Sequence, residues 1–196
     1  MQIWDLPLRL FHWGLVIAVI GAISSAKLEI LWLHERFGLA VLGLVGFRLV
    51  WGFYGGHYAR FAQFLTVPRH FLAGIRGLLR PDTAMPHAGH NAAGGYAVVA
   101  LLAVTGGMAL SGSFSHDDVL FEGPLAHLLP NVSDAATKFH HIGEKILFFL
   151  IFLHLAAILV YRLVKKRHLT HLMVRGHATP DSNLVGPDGT ISLAHC

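Results

Sequence analysis

Four long apolar runs, parted by polar connections, set the pattern of this chain. The first, LFHWGLVIAVIGAISSA, reaches Ala26, and a helix begun near Leu6 is long enough to cross a bilayer. The second lies in ILWLHERFGLAVLGLVGFRLVWGFYGG and carries only Glu35, Arg36 and Arg48 as charges. The third, AAGGYAVVALLAVTGGMALSGSF, has no charge at all. The fourth lies in KFHHIGEKILFFLIFLHLAAILVYR and stops at Arg162. These runs predict spans over 6–26, 33–54, 92–114 and 139–162, that is, an all-α integral membrane four-helix bundle. Residues 1–176 then form one domain. Residues 177–196, rich in Gly, Pro, Asp, Ser and Asn, are expected to be a mobile tail. Between spans two and three, PRHFLAGIRGLLRP sets apolar positions opposite Arg69, Arg76 and Arg80 between two prolines, which fits a helix lying on the membrane surface or a partly buried connector.

Composition agrees with a membrane setting. Of 196 residues, 54% are hydrophobic and 13% charged, far below the charged share of a soluble domain. Arg9, the first apolar run and Ser24-Ser25-Ala26 imitate a secretory signal, but His12-Trp13 inside the run and Asp5 before it suit a retained span better. The net charge of +4 comes with no nucleic-acid module, so it reads as orientation in the bilayer. Cys196 is the only cysteine, which excludes an internal disulfide, a CxxCH haem attachment and a cysteine-held iron–sulfur cluster.

Charge asymmetry predicts the topology. The 55–93 connection holds Arg60, Arg69, Arg76 and Arg80 against Asp82, and from Arg162, where span four stops, five Lys or Arg occur with no acid before Gly176. Both segments belong inside, placing the N- and C-termini in the cytoplasm. The 115–139 connection, with Asp117, Asp118, Glu122 and Asp134 against Lys138, falls outside. Histidine depth follows. His12 enters span one from the inner side, His34 and His140 begin their spans from the outer side, and His154 lies 14 residues beyond His140, about 21 Å further along one helix face. Ionisable side chains within membrane helices face the bundle interior, and neutral imidazole is the commonest protein ligand of haem iron. Matched depths pair His12 with His154 at an inner level and His34 with His140 at an outer one.

The segments WDLPLRLFHW (4–13), LHERFG followed by FRLVWGF (33–53), GHNAAGG (89–95) and the His140-to-His154 spacing together resemble the bacterial cytochrome b561 proteins and the b-type cytochrome subunits of nickel–iron hydrogenases and formate dehydrogenases. The resemblance touches all four spans. It implies two b-type haems, one on His12 and His154 and one on His34 and His140. An acidic residue often follows the third histidine in that family, whereas this chain has His141, so His140 and His141 compete for the role; a 14-residue separation from His154 favours His140. The same likeness places Asn91, Gly94 and His90 near a quinone headgroup, although Asn91 equally suits a helix N-cap. Arg9, Arg36 and Arg48 are candidates for the haem propionates, since guanidinium pairs with carboxylate as a bidentate fork.

The function expected is electron relay across the bacterial cytoplasmic membrane, between the quinone pool and a periplasm-side c-type cytochrome, hydrogenase or dehydrogenase. Whether the chain is an electron-transfer subunit or a quinone-reactive oxidoreductase in its own right stays open. A free-standing superoxide:quinone oxidoreductase is a second reading, with Lys27, Arg36 and Lys138 as the outer cations. A haem-free, histidine-based metal-handling protein is a third.

Overall fold

The computed structural model describes residues 4–65, 92–117, 121–166 and 169–176. Helices α1 (Leu6–Lys27), α2 (Leu31–Tyr54), α3 (Phe61–Phe64), α4 (Ala92–Phe114), α5 (Ser133–Leu163) and α6 (Leu169–Arg175) account for most of them. A two-residue antiparallel ladder joins β1 (His116–Asp117) to β2 (Phe121–Glu122), with His116 opposite Glu122. The fold is therefore all-α, and α1, α2, α4 and α5 are long and apolar enough to cross a membrane. Only 6% of the most apolar window of α5 is buried within the chain. Phe149 and Phe152, 62% and 68% exposed, belong to a surface that water would penalise and lipid solvates. The expected surface helix at 68–81 and the tail at 177–196 lie outside the described residues.

Helix α5 begins six residues before the apolar run that announced it. Apolarity marks where lipid starts, whereas a helix starts where its first turn is satisfied. Asp134 lies in that turn, where a carboxylate favours the positive helix end, and the Thr137 hydroxyl donates to the Ser133 carbonyl at 2.9 Å. The connection before α5 is ordered by the end of α4: Gly123 N–H donates to the Ser115 carbonyl and Leu125 N–H to the Ser113 carbonyl, both at 2.8 Å. Carbonyls in the last turn of a helix lack internal partners, so they organise the segment that follows. The short helix α6 was not anticipated from the sequence.

The chain divides into two compact units: residues 1–10, 50–99 and 152–196 in the first, 11–49 and 100–151 in the second. In the first unit, Asp5 is the N-cap of α1. Its Oδ1 accepts from Leu8 N–H at 2.9 Å, while Oδ2 accepts from Trp51 Nε1 at 3.0 Å and Gly56 N–H at 3.2 Å. One carboxylate thus serves a helix start, an indole and a loop. The α6 end is tied to the same region, where Trp4 N–H donates to the Gly176 carbonyl at 3.1 Å and Arg9 Nη2 donates to the Val174 carbonyl.

In the second unit, α1 and α2 run antiparallel through a tight turn. Ile30 N–H reaches the Ser25 carbonyl at 2.9 Å and Glu29 N–H the Ala26 carbonyl at 3.1 Å, the paired bonds of a Schellman C-cap. The left-handed position falls on Glu29, at φ 58°, rather than on the glycine such a turn prefers. Lys27 Nζ meets Glu144 Oε1 of α5 at 3.1 Å just before the turn. Both side chains are well exposed, so this pair contributes little.

Two substitutions test these local devices. Asp5→Ala is expected to destabilise the protein by about 2 kcal/mol, from the lost cap and the stranded Trp51 N–H. Glu29→Gly is expected to stabilise it by about 1 kcal/mol by relieving the left-handed backbone. Denaturation midpoints of the detergent-solubilised protein in an SDS titration check both signs.

Candidate functional site

His34 and His140 meet in the second unit. Each ring is half-buried, their centroids are 5.9 Å apart, and their planes are perpendicular. His34 comes from the first turn of α2, just after the Schellman turn, which swings it back onto α1. Its Nδ1 lies 2.9 Å from the Ala22 carbonyl. His140 comes from the second turn of α5, and its Nδ1 lies 2.9 Å from the Met108 carbonyl of α4. A carbonyl oxygen only accepts, so each Nδ1 carries the hydrogen. The lone pair of each neutral ring is then on Nε2.

Close helix approach makes these bonds possible. A Cβ at Gly112 of α4 would stand 3.0 Å from His140 Cε1, and one at Gly143 of α5 would stand 2.7 Å from Met108 Cγ. Without both glycines, α4 and α5 would be held too far apart for Met108 to reach the imidazole. Each carbonyl also accepts a serine hydroxyl from three residues on. Ser25 Oγ lies 3.1 Å from Ala22 O, with Gly21 O nearer at 2.7 Å, and Ser111 Oγ lies 3.0 Å from Met108 O. Both serines are buried. Sequence reasoning missed these second partners because buried serines satisfy themselves on their own helix and leave no periodic signal.

The other candidates fall as follows. His141 is exposed, so of the adjacent pair it is His140 whose ring packs against His34. His12 is half-buried in the second unit, with Trp13 edge-on at 5.2 Å, and His154 is half-buried in the first. Arg48, in the second unit, is 2% exposed, whereas Arg36 is on the surface. Arg9 has its guanidinium on the α6 backbone. Gly94 is the third residue of α4, in its first turn; the neighbouring Gly95 accommodates Phe64, whose Cδ2 would stand 2.7 Å from a Cβ there. Asn91 and His90 lie outside the described residues.

These features define a multi-pass, all-α membrane protein in which two imidazoles are tethered side by side to backbone carbonyls. A family model described as prokaryotic cytochrome b561 matches residues 3–176, and the chain belongs to that family. Neither curated proteins nor solved structures return a match. Family membership makes the protein a membrane b-type cytochrome of electron transfer, and implies b-type haem.

The residues present fit that group. Two imidazoles from different helices, with ring centroids 5.9 Å apart and each Nδ1 engaged by a backbone carbonyl, form the donor set that would hold a b-type haem. Among the described residues no three or more His, Cys, Asp or Glu are grouped to hold a metal by themselves. A pair of imidazoles suits an ion whose remaining positions are filled by a macrocycle.

Gly112→Val is expected to cost about 1–3 kcal/mol by driving a methyl into the His140 ring, and to lower haem retention in the purified protein. Gly46→Ala, where a Cβ meets nothing within 4 Å, is the neutral comparison; absorbance of the reduced protein per unit of polypeptide reads both.

Proposed function

We propose that this cytochrome relays single electrons across the bacterial cytoplasmic membrane, between the quinone pool and a redox protein on the outer side. The observation that carries the reading is the His34–His140 pair, with both Nδ1 hydrogens given to backbone carbonyls and both Nε2 lone pairs left for a metal. One-electron chemistry is what a b-type haem supplies when bound. The chain's own residues provide the rest. Donation from Nδ1–H to a carbonyl fixes the tautomer and ring orientation and raises the basicity of Nε2, as outer partners of metal-bound histidines do.

A second haem on His12 and His154 is part of the same proposal and rests on the sequence: the depth argument and the family's ligand pattern both lead to it. Arg48, 2% exposed, stays a propionate candidate for the bidentate fork that a guanidinium offers a carboxylate. Arg36 remains a candidate only for a propionate reaching the surface, and Arg9 is engaged by α6. Asn91 and Gly94 are the proposed quinone contacts, Gly94 in the first turn of α4. Inner-side termini and an outer-facing His34–His140 level follow from the charge asymmetry of the connections.

The test is haem stoichiometry, measured as the pyridine haemochrome of the purified protein. Wild type is expected to hold two haems per chain, His34→Ala and His140→Ala one each, and His141→Ala two. Full haem content in either of the first two variants would overturn the ligand assignment. Quinol-driven reduction in proteoliposomes, compared with reduction by superoxide, then separates a quinone relay from the superoxide reaction.

A further inference from the structure

The first unit holds a feature that electron transfer does not use. Arg162 of α5, with Thr170, His171, Val174 and Arg175 of α6, lines a groove of about 500 Å³. Two of these side chains are permanent cations, a third is an imidazole, Thr170 adds a hydroxyl, and none is acidic. The nearby Lys165 has its Nζ over the Tyr161 ring, 5.6 Å from its centre.

A run of basic residues after a membrane helix is ordinarily a solvated orientation signal. Here the backbone that carries it is held. Arg9 Nη2 donates to the Val174 carbonyl, and Trp4 N–H donates to the Gly176 carbonyl at 3.1 Å. Gly176 adopts φ +79°, and a Cβ there would stand 2.7 Å from Trp4 O and 2.8 Å from Arg9 Nη1. Arg9 Nε is buried behind this wall without a hydrogen-bond partner among the described residues. The backbone of α6 that carries Thr170, His171 and Arg175 is thus held before any ligand arrives, which lowers the ordering cost of binding. Beside them lies apolar surface: Val174, in the groove wall, is 52% exposed, and Leu163, next to Arg162, is 67% exposed.

We propose that this groove binds the phosphate headgroup of an anionic phospholipid, with Arg162 and Arg175 on the phosphate oxygens, Thr170 and His171 as further donors, and Val174 and Leu163 against the first acyl methylenes. Guanidinium forks match phosphate in geometry as well as charge. The apolar flank selects lipid over free phosphate, since a water-soluble anion gains nothing from it. Basic pockets at the membrane face of helical proteins recognise anionic headgroups by this combination of charge and contact.

The experiment titrates short-chain phosphatidylglycerol, below its micelle concentration, into the detergent-solubilised haem-loaded protein and counts bound lipid by native mass spectrometry. Phosphatidylcholine of the same chain length and inorganic phosphate are the other arms. Phosphatidylglycerol is expected to bind in preference to both, and Arg162→Gln/Arg175→Gln to weaken it by at least about tenfold while the haem spectrum is unchanged. Lys165→Gln/Lys166→Gln, which removes the same charge outside the groove, is expected to retain binding. Equal binding of phosphatidylcholine, displacement by inorganic phosphate alone, or equal losses in the two double variants would overturn the proposal.

Discussion

A neutral imidazole in an apolar helix keeps one N–H that hydrocarbon does not satisfy, and an unpaired polar hydrogen in such surroundings costs several kcal/mol. In the second unit that requirement is met twice in the same way. His34 gives Nδ1–H to Ala22 of α1, and His140 gives it to Met108 of α4. Each bond ties one helix to the next, so α2 is pinned to α1 and α5 to α4 by the two imidazoles. In the proposed function these two hydrogen bonds serve twice, because the same donation that satisfies Nδ1 leaves the Nε2 lone pair for a haem iron.

Much of the surrounding geometry serves that exchange. The Schellman turn closes α1 on α2 so that Ala22 and His34 fall side by side, even though a left-handed Glu29 is the cost of it. Gly112 and Gly143 remove the two Cβ atoms that would keep α4 from α5. These interhelical contacts are short because membrane helices gain nothing from hiding apolar surface from one another; van der Waals contact and buried hydrogen bonds must do the work. The first unit is built on other means. Asp5 gathers a helix start, Trp51 and Gly56 on one carboxylate, and the end of α6 is fastened to Trp4 and Arg9.

The four membrane helices were legible because their signal is cumulative. Twenty apolar residues in succession have few other fates, and only end positions moved: α5 begins at Ser133 rather than near 139 because polar residues such as Asp134 and Thr137 suit a first turn outside the lipid. Helix α6 was not legible, since seven residues are too few for a periodic pattern and Gly176 and Arg9, which stop and hold it, are 167 positions apart in sequence. Among the site candidates, the histidines drew notice because they are out of place in apolar runs, while Ser25 and Ser111 did not, because serine is at home there.

From residue order alone came the all-α membrane fold, the family pattern and the short list of histidines, since each rests on composition and spacing along one strand of chain. The choice between His140 and His141 as the ring facing His34, the carbonyls that hold each imidazole, the burial of Arg48 against the exposure of Arg36, and the cationic groove of α5 and α6 were decided by tertiary structure. Spacing defines a helix face only to within a residue or so. Which neighbour that face meets depends on interhelical distance, and that distance is set by turns and missing Cβ atoms contributed from elsewhere in the chain.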